Sequence, residues 1–440
     1  MEGLIWAASI WTGFYLIASR FRHRNSVVAD WFGREQLALV IALLGTFSIV
    51  PSSETEEILR EPVVTERILR GSLAVLALLI VAPILIERIR RYAPGRRAMT
   101  GLLAYMTVAL ISTVFSAASL VTAAKVGELT AGLAPILAIA LGPRPGDRLR
   151  NTVTLVISLV AAMLAVAAVG FVALPSSFKF LQPRPGFVID ETLVAPFAHN
   201  NTLSALGAIV AVFAVAKLLT SSEHRRLWMV AAVVGALNIV LSAGRQGVLM
   251  VLVGLAIVLW STRRALLLGL LGPAAVGVWV AYQDLLLESF SRGRPQQLTT
   301  FTGRLVWWEV AVEAWSAHPW TGWGYAAGGR FVALASIGRS SSSVHSGYVE
   351  ALVGVGILGL AGLVYALVEV LVWSFRNLRI ETALATLIVP LALRTGVSQG
   401  FGGWLNVEFV LFALLVAVVD QSRIERRAAR SRYLDTIATT

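Results

Sequence analysis

The chain has 440 residues, 57% of them hydrophobic and only 14% charged, with no cysteine, and its mean hydropathy is +0.76. A water-soluble domain of this size is not built this way, whereas a polytopic α-helical membrane protein is. The absence of cysteine excludes disulfides, thiolate metal sites and a cysteine nucleophile. The net charge of +12 would point to nucleic acid in a soluble protein. Here the basic residues lie in short loops between apolar runs, where they set topology, and no nucleic-acid partner is expected.

No cleavable-signal pattern precedes the first apolar run, so Met1 is read as part of the mature protein. Apolar runs then follow near 3–19, 35–50, 71–86, 99–120, 126–141, 152–174, 202–217, 227–241, 248–260, 265–282, 347–373, 382–393 and 407–419. The expected fold is an all-α integral membrane bundle of about 12–13 spans, some of them short for a hydrocarbon core of ~30 Å and therefore tilted, broken or re-entrant. Basic clusters occupy alternate loops: 20–24, 87–97, 143–150, 217–226, 261–264, 376–379 and the tail 423–432. The positive-inside rule puts these on the cytoplasmic side and the large loop at 283–346 on the outer side, all within one integral domain spanning 1–440.

The candidate site residues lie along the outer segments. Arg184 lies in the Pro- and Gly-containing stretch 175–190, which reads as loop backbone. His199, Asn200 and Asn201 open the next span; their amides suit sugar hydroxyls, and a capped helix start is the plainer reading. Arg245 occupies a very short turn between two apolar runs, close to membrane depth, where an arginine faces the bundle interior or a water-filled cavity. It is read as an anion ligand or as a structural pairing group.

Positive residues are disfavoured on the outer side, yet Arg292, Arg294, Arg304, Arg330, Arg339 and Arg394 fall there as well. The guanidinium fork matches phosphate oxygens bidentately, and a lipid-linked pyrophosphate is a suitable partner; contact with lipid headgroups or a surface ion pair is the alternative. Arg304 opens a helix, RLVWWEVAVEAW, whose Trp307, Trp308 and Trp315 would anchor at the interface. Trp320 and Trp323, in HPWTGWGY, could stack on sugar rings or belong to the same aromatic belt. His345 precedes the 347–373 run: it is a polar helix start or, since imidazole is best matched to proton transfer near neutral pH, a catalytic base. Glu350 lies one turn further on and could orient the imidazole or serve the helix start.

The pattern Gly354-Val-Gly356-Ile-Leu-Gly359 fits a dinucleotide fingerprint, but it lies in an apolar helix with no preceding strand and reads as close backbone packing. No P-loop, paired zinc-ligand histidines or outer acidic pair of the DxD type is present, and Asp190 with Glu191 is a weak metal site at best. No metal and no cofactor are therefore expected.

Four pieces in order resemble the O-antigen ligase and polymerase superfamily of bacterial envelope glycan enzymes: FAHNNTLSALGAIVAVFAV, LSAGRQGVLMVLVG, TGRLVWWEVAVEAWSAHPWTGWGY and VHSGYVEALVGVGILGL. They are similar to that family's Asn-containing span start, its Ser-Arg turn, its TGR…W…Pro-x-x-Gly block and its His-Asn block. Asn200 stands where a Lys is often found, and Ser346 where Asn is common. The HNN start, the TGR block and the HSGY form are closer to exopolysaccharide polymerases than to lipopolysaccharide ligases.

The resemblance implies a GT-C-like, metal-independent, inverting glycosyltransferase at the outer face of the bacterial cytoplasmic membrane. Its donor would be an undecaprenyl-pyrophosphate-linked oligosaccharide, its acceptor a glycan or glycolipid, and its surroundings membrane lipid. His345, Arg245 and Arg304 are implied as catalytic; Arg184, His199, Asn200, Asn201, Arg330, Arg339, Glu350, Trp320 and Trp323 would bind substrate. A lipid-glycan flippase, which would place ionisable groups or broken helices near the membrane midplane, is the rival of another class, and a non-enzymatic glycan-binding scaffold is a third.

Overall fold

A computed structural model describes residues 33–46, 65–90, 96–181, 191–195, 198–264, 267, 304–338 and 343–439. The apolar runs expected near 3–19 and 265–282, and Arg184, Arg292, Arg294 and Arg339, lie outside them. The described residues form helices α1 (Arg34–Thr46), α2 (Thr65–Ile89), α3 (Arg97–Ile111), α4 (Ser119–Ala140), α5 (Pro145–Ala173), α6 (Asn200–Thr220), α7 (Arg225–Ser242), α8 (Arg245–Ser261), α9 (Arg304–Ser316), α10 (Gly347–Asn377), α11 (Thr382–Val397) and α12 (Val407–Thr439). Outside the helices, β1 (Lys179–Leu181) and β2 (Glu191–Leu193) pair as an antiparallel ribbon, Lys179 opposite Leu193. Among the described residues, 6 helices are long and apolar enough to cross a membrane, and Arg97–Ile111, Arg245–Ser261 and Thr382–Val397 are shorter apolar helices. The chain is an all-α, polytopic membrane bundle.

Helix formation here follows from the solvent. In hydrocarbon each backbone N–H and C=O needs an internal partner, so long apolar runs close their hydrogen bonds along the helix axis. What then holds helices together is close packing and a few polar contacts rather than the hydrophobic effect. α6 meets α7 at facing glycines, where a Cβ on Gly207 would come within 2.7 Å of the Gly235 carbonyl oxygen; α3 meets α10 in the same way, Gly101 against Gly362 at 2.7 Å. α6 is the most enclosed of the long spans, with 72% of its apolar window buried, whereas α2 is peripheral at 17%.

One end of the bundle is a basic face. Arg88 and Arg148 clasp Glu35 at 2.6 and 2.8 Å, and Arg150 pairs with Glu381 at 2.8 Å. Asp420 of α12 accepts the backbone N–H groups of Ala98 and Met99, at 3.1 and 2.8 Å, and so caps the start of α3. The basic stretches around 88, 148, 377 and 423 thus meet on one side, as their alternate spacing in the sequence predicts.

The opposite end carries the loop. Residues 317–328 are fixed between the α3–α4 turn and α10: Ala117 N–H donates to the Trp323 carbonyl at 3.0 Å, Tyr325 N–H to Ser112 Oγ at 3.0 Å, and Thr122 Oγ1–H to the Tyr325 carbonyl at 2.9 Å. α10 itself is broken at Gly356, where φ is 64° and ψ −170°. The Val353 and Gly354 carbonyls accept from Trp323 and Gly324, and Ile357 N–H donates to the Pro319 carbonyl, all at 2.9 Å. Loop backbone therefore replaces the helix's own hydrogen bonds across the break. A Cβ at Gly356 would lie 2.3 Å from the Trp320 carbonyl, so glycine serves both the positive φ and the contact. The expectation of close backbone packing at Gly354–Gly359 holds, but the partner at the break is the loop rather than another helix.

Candidate active site

His345 lies at the mouth of α10 on the loop face, and its place is set by the residues around it in sequence. Ser346 is the N-cap of α10, its Oγ accepting from Val349 N–H at 3.5 Å, and His345 N–H donates to Ser343 Oγ at 3.1 Å. Glu350 is buried one turn below, and its Oε2 accepts Val344 N–H at 3.1 Å. Glu350 thus serves the helix start: it fixes the backbone immediately before His345. The backbone at His345 has φ 55°, a left-handed geometry that costs a side-chain-bearing residue about 1–3 kcal/mol and must be held by its surroundings.

The imidazole stacks on Trp307 of α9, ring centroids 5.2 Å apart at 23°. Trp308 donates its indole N–H to the Val344 carbonyl at 2.9 Å, and Trp323 and Trp315 donate theirs to the carbonyls of Ala314 and Pro319, at 2.7 and 2.9 Å. These indoles bind the loop to itself; that differs from the interfacial anchoring expected of Trp307, Trp308 and Trp315. The cause is the small apolar core of Ala311, Ala333, Leu334, Val344 and Val353 beneath α9, onto which they pack.

Positive charge surrounds His345. Burial first, then the charges of Arg304, Arg394 and His199, lower its pKa from the usual imidazole value to about 4. It is neutral at physiological pH. Arg304 opens α9 and donates from its guanidinium to the carbonyl of Val397, the last residue of α11. Arg394, three residues earlier on α11, is 5% exposed and pairs with Glu408 of α12 at 3.3 Å. It also donates to the Asn201 carbonyl at 3.4 Å and to Thr202 Oγ1 at 3.2 Å.

Those last contacts bring in the start of α6. His199 is its N-cap, Nδ1 accepting Asn201 N–H at 3.4 Å, with Asn200 buried beside it. The Asn201 carbonyl also receives Gln246 Nε2 at 3.1 Å, so the Arg245 turn lies on the same face. Ser204 Oγ–H donates to the Gly244 carbonyl at 2.8 Å, and a Cβ at Gly247 would meet Ser204 Oγ at 2.0 Å. The turn is pressed directly against α6, with Arg245 as the first residue of α8.

The structure thus gathers His345, Arg304 and His199 and places Asn200, Asn201 and the Arg245 turn beside them. Arg394, counted from the sequence among the outer arginines but given no role in the site, joins them, and no local spacing signals its pairing with Glu408. Other predicted residues lie elsewhere in the loop. Arg330 is in the π-helical turn Gly328–Ala333, its guanidinium 4.9 Å from the Phe331 ring centroid. Trp320 is exposed, and its carbonyl accepts from Leu358 N–H beyond the helix break at 3.4 Å. Trp323 meets His318 edge-on at 4.0 Å. Among the described residues no cluster of three or more His, Cys, Asp or Glu side chains could hold a metal ion.

A neutral imidazole beside fixed guanidinium groups can accept a proton while an adjacent anion is held. No curated protein matches the chain. A family model described as O-Antigen ligase matches residues 230–364, a segment that includes Arg245, Arg304, Arg330, His345 and Glu350. That segment is what the chain shares with the O-antigen ligase family, to which it is similar there.

Proposed function

We propose that the chain is an inverting, metal-independent glycosyltransferase that extends glycans from undecaprenyl-pyrophosphate-linked repeat units at the outer face of the bacterial cytoplasmic membrane. The observation that carries this reading is the meeting of Arg304, Arg394 and His199 on one neutral imidazole at the loop face of an apolar bundle. Such a face suits a substrate with an anionic head and a lipid tail. In the reaction, an acceptor hydroxyl attacks the anomeric carbon of the donor glycan and passes its proton to the free ring nitrogen of His345. A carbon–oxygen bond forms on one face of the sugar while the bond to the diphosphate breaks on the other. Undecaprenyl diphosphate departs with the electron pair, and the proton returns from His345 to water. Arg245 and Arg304 bind the departing oxygens, where preorganised donors contribute most.

The charges explain how a weak base becomes useful. Burial first, and then the neighbouring cations, hold the imidazole's proton affinity down while the site is empty. A bound diphosphate offsets those cations and raises that affinity, so the base is strengthened only when donor is present. The break in α10 is the feature that favours transport, since broken helices mark carrier sites. Its exposed backbone groups, however, are taken by the loop at Pro319, Trp323 and Gly324. That leaves the enzyme as the better reading.

The sequence forms HNN, TGR and HSGY favour polymerase over transfer to a lipid A core. Reconstitution with a lipid-linked repeat unit, followed by sizing of the product, tests this. A ladder of lengthened glycans is expected; product only on a lipid A core means a ligase, and undiminished turnover by His345→Ala rejects the base.

A further inference from the structure

A histidine that acts as a base commonly gives its second ring N–H to a carboxylate, which fixes the tautomer and stabilises the imidazolium that forms. Among the described residues no carboxylate plays that part for His345. Its backbone N–H donates to Ser343 Oγ at 3.1 Å, and neither ring nitrogen makes a hydrogen bond there. Glu350, one turn below, spends its carboxylate on Val344 N–H at 3.1 Å. The charged groups that face the ring are Arg304 on α9, Arg394 on α11 and His199 at the start of α6, and all three oppose its protonation. The carboxylate of Glu408 is already paired with Arg394 at 3.3 Å. On taking a proton the ring becomes a cation among cations.

What meets the ring instead is the face of an indole. Trp307 and His345 stack with centroids 5.2 Å apart and planes 23° from parallel, inside the ~6 Å at which an aromatic face attracts a cation. A neutral imidazole gains only ordinary stacking from such a contact. An imidazolium also gains the attraction of the indole's negative face, so the contact favours the protonated ring over the neutral one. That preference is worth roughly two- to thirty-fold in an equilibrium constant.

The contacts of α9 keep the indole in place. Arg304, one turn before Trp307, donates to the Val397 carbonyl at the end of α11. Trp308, the next residue, donates its indole N–H to the Val344 carbonyl at 2.9 Å, and Glu350 receives the N–H of the same Val344. Both backbone groups of the residue before His345 are thus held. One is held from the helix that His345 leads into, the other from the helix that carries the indole. Trp307 itself packs on the small core that contains Ala311 and Val344. These contacts fix the two rings against each other and brace the left-handed backbone at His345, where φ is 55°.

We propose that the Trp307 indole holds the plane of the His345 ring and stabilises that ring in its protonated form. In the glycosyl transfer read above, on which this part rests, Trp307 is then a positioning residue for the base. The proton passes from the acceptor oxygen to a ring nitrogen and later to water, and Trp307 exchanges no bond or electron with either. The guanidinium groups of Arg304 and Arg394 keep the resting ring neutral. The indole offsets part of their opposition when the ring takes the proton.

The test replaces Trp307 alone, in the full chain, with a series of increasingly fluorinated tryptophans introduced by stop-codon suppression. Each fluorine withdraws charge from the indole face and leaves its shape nearly unchanged, so folding is preserved across the series. Two readouts are taken. One is the NMR titration of the His345 ring in isotope-labelled protein without substrate, assigned by its absence in His345→Gln. The other is kcat at saturating lipid-linked repeat unit. The pKa of the ring is expected to fall stepwise with fluorine number, by roughly 0.3–1.5 units in total, and kcat to fall with it while the KM for donor stays constant. A purely structural tryptophan would move neither in proportion to fluorine number. A ring pKa independent of fluorine number overturns the proposal, whatever kcat does. If the pKa falls while kcat stays constant, the indole's hold on the ring stands and the assignment of His345 as the base falls.

Discussion

A guanidinium set beside an imidazole opposes its protonation, and at His345 that opposition adds to burial to hold the pKa near 4. If the neutral ring is the working base, turnover under saturating donor needs the unprotonated form and is lost as pH falls through the pKa. The acid limb of kcat/KM, which reports the free enzyme, is expected well below the ~6.5 of an ordinary histidine, and that of kcat, measured under saturating donor, higher on the pH scale than the kcat/KM limb because the bound diphosphate offsets the cations. Arg394→Gln combined with Glu408→Gln removes a cation facing His345 without stranding a buried carboxylate. The acid limb should then move upward; a limb that stays in place assigns it to another group. Arg304→Lys is the second test at this scale, because an ammonium cannot reproduce the fork that holds the Val397 carbonyl and a phosphate together. Loss of one such donor costs about 3 kcal/mol, a rate reduction of roughly 10²–10³. Single-turnover kinetics with purified lipid-linked repeat unit would measure it. Arg304 was legible in sequence because its TGR block is distinctive. Arg394 was not: its partner Glu408 lies across a turn on another helix, a relation no local spacing encodes.

At the scale of elements, the apolar runs were read at nearly their observed bounds wherever the pattern was long and uninterrupted. Expected spans at 152–174 and 202–217 became α5 and α6, each lengthened by polar turns. The run at 99–120 failed differently. α3 ends at Ile111 and α4 begins at Ser119, with the intervening turn held by Ser112, Ser116 and Thr122 under the loop. Small hydroxyl residues are tolerated in an apolar window, so hydropathy ran straight through a turn that side-chain hydrogen bonds define. The break in α10 was hidden for a related reason: the glycines of Gly354–Gly359 fit helix packing as well as they fit an interruption. Gly356→Ala distinguishes the two. It places a Cβ 2.3 Å from the Trp320 carbonyl at a φ of 64°, and the backbone strain alone is about 1–3 kcal/mol. The variant should melt at a lower temperature and expose the loop to protease between Ser316 and Ser343. Unchanged stability would mean that the loop does not depend on the break.

For the whole molecule, the central expectation is sidedness. Basic stretches gather at one end through Arg88, Arg148, Arg150 and their acidic partners, while His345, Arg304 and Arg394 lie at the other. Lys and Arg are retained on the cytoplasmic side of short loops, so the loop face should be the outer one. The sequence carried that polarity well because charge in alternate loops repeats many times along the chain, and a single misjudged span does not erase it. It carried the distance between outer residues poorly, since Asn201, Gln246 and Arg394 meet only after three separate helices pack. A chain without cysteine lets the polarity be measured with no background. Ser316→Cys lies on the exposed end of α9, and Glu223→Cys is exposed in the turn between α6 and α7. A membrane-impermeant maleimide added to spheroplasts should label the first and spare the second, and inverted vesicles should reverse the pattern. Labelling of both from one side would break the alternation of the bundle. Labelling of Glu223→Cys alone in spheroplasts would turn the His345 face toward the cytoplasm, where a glycan already carried to the outer leaflet could not reach it.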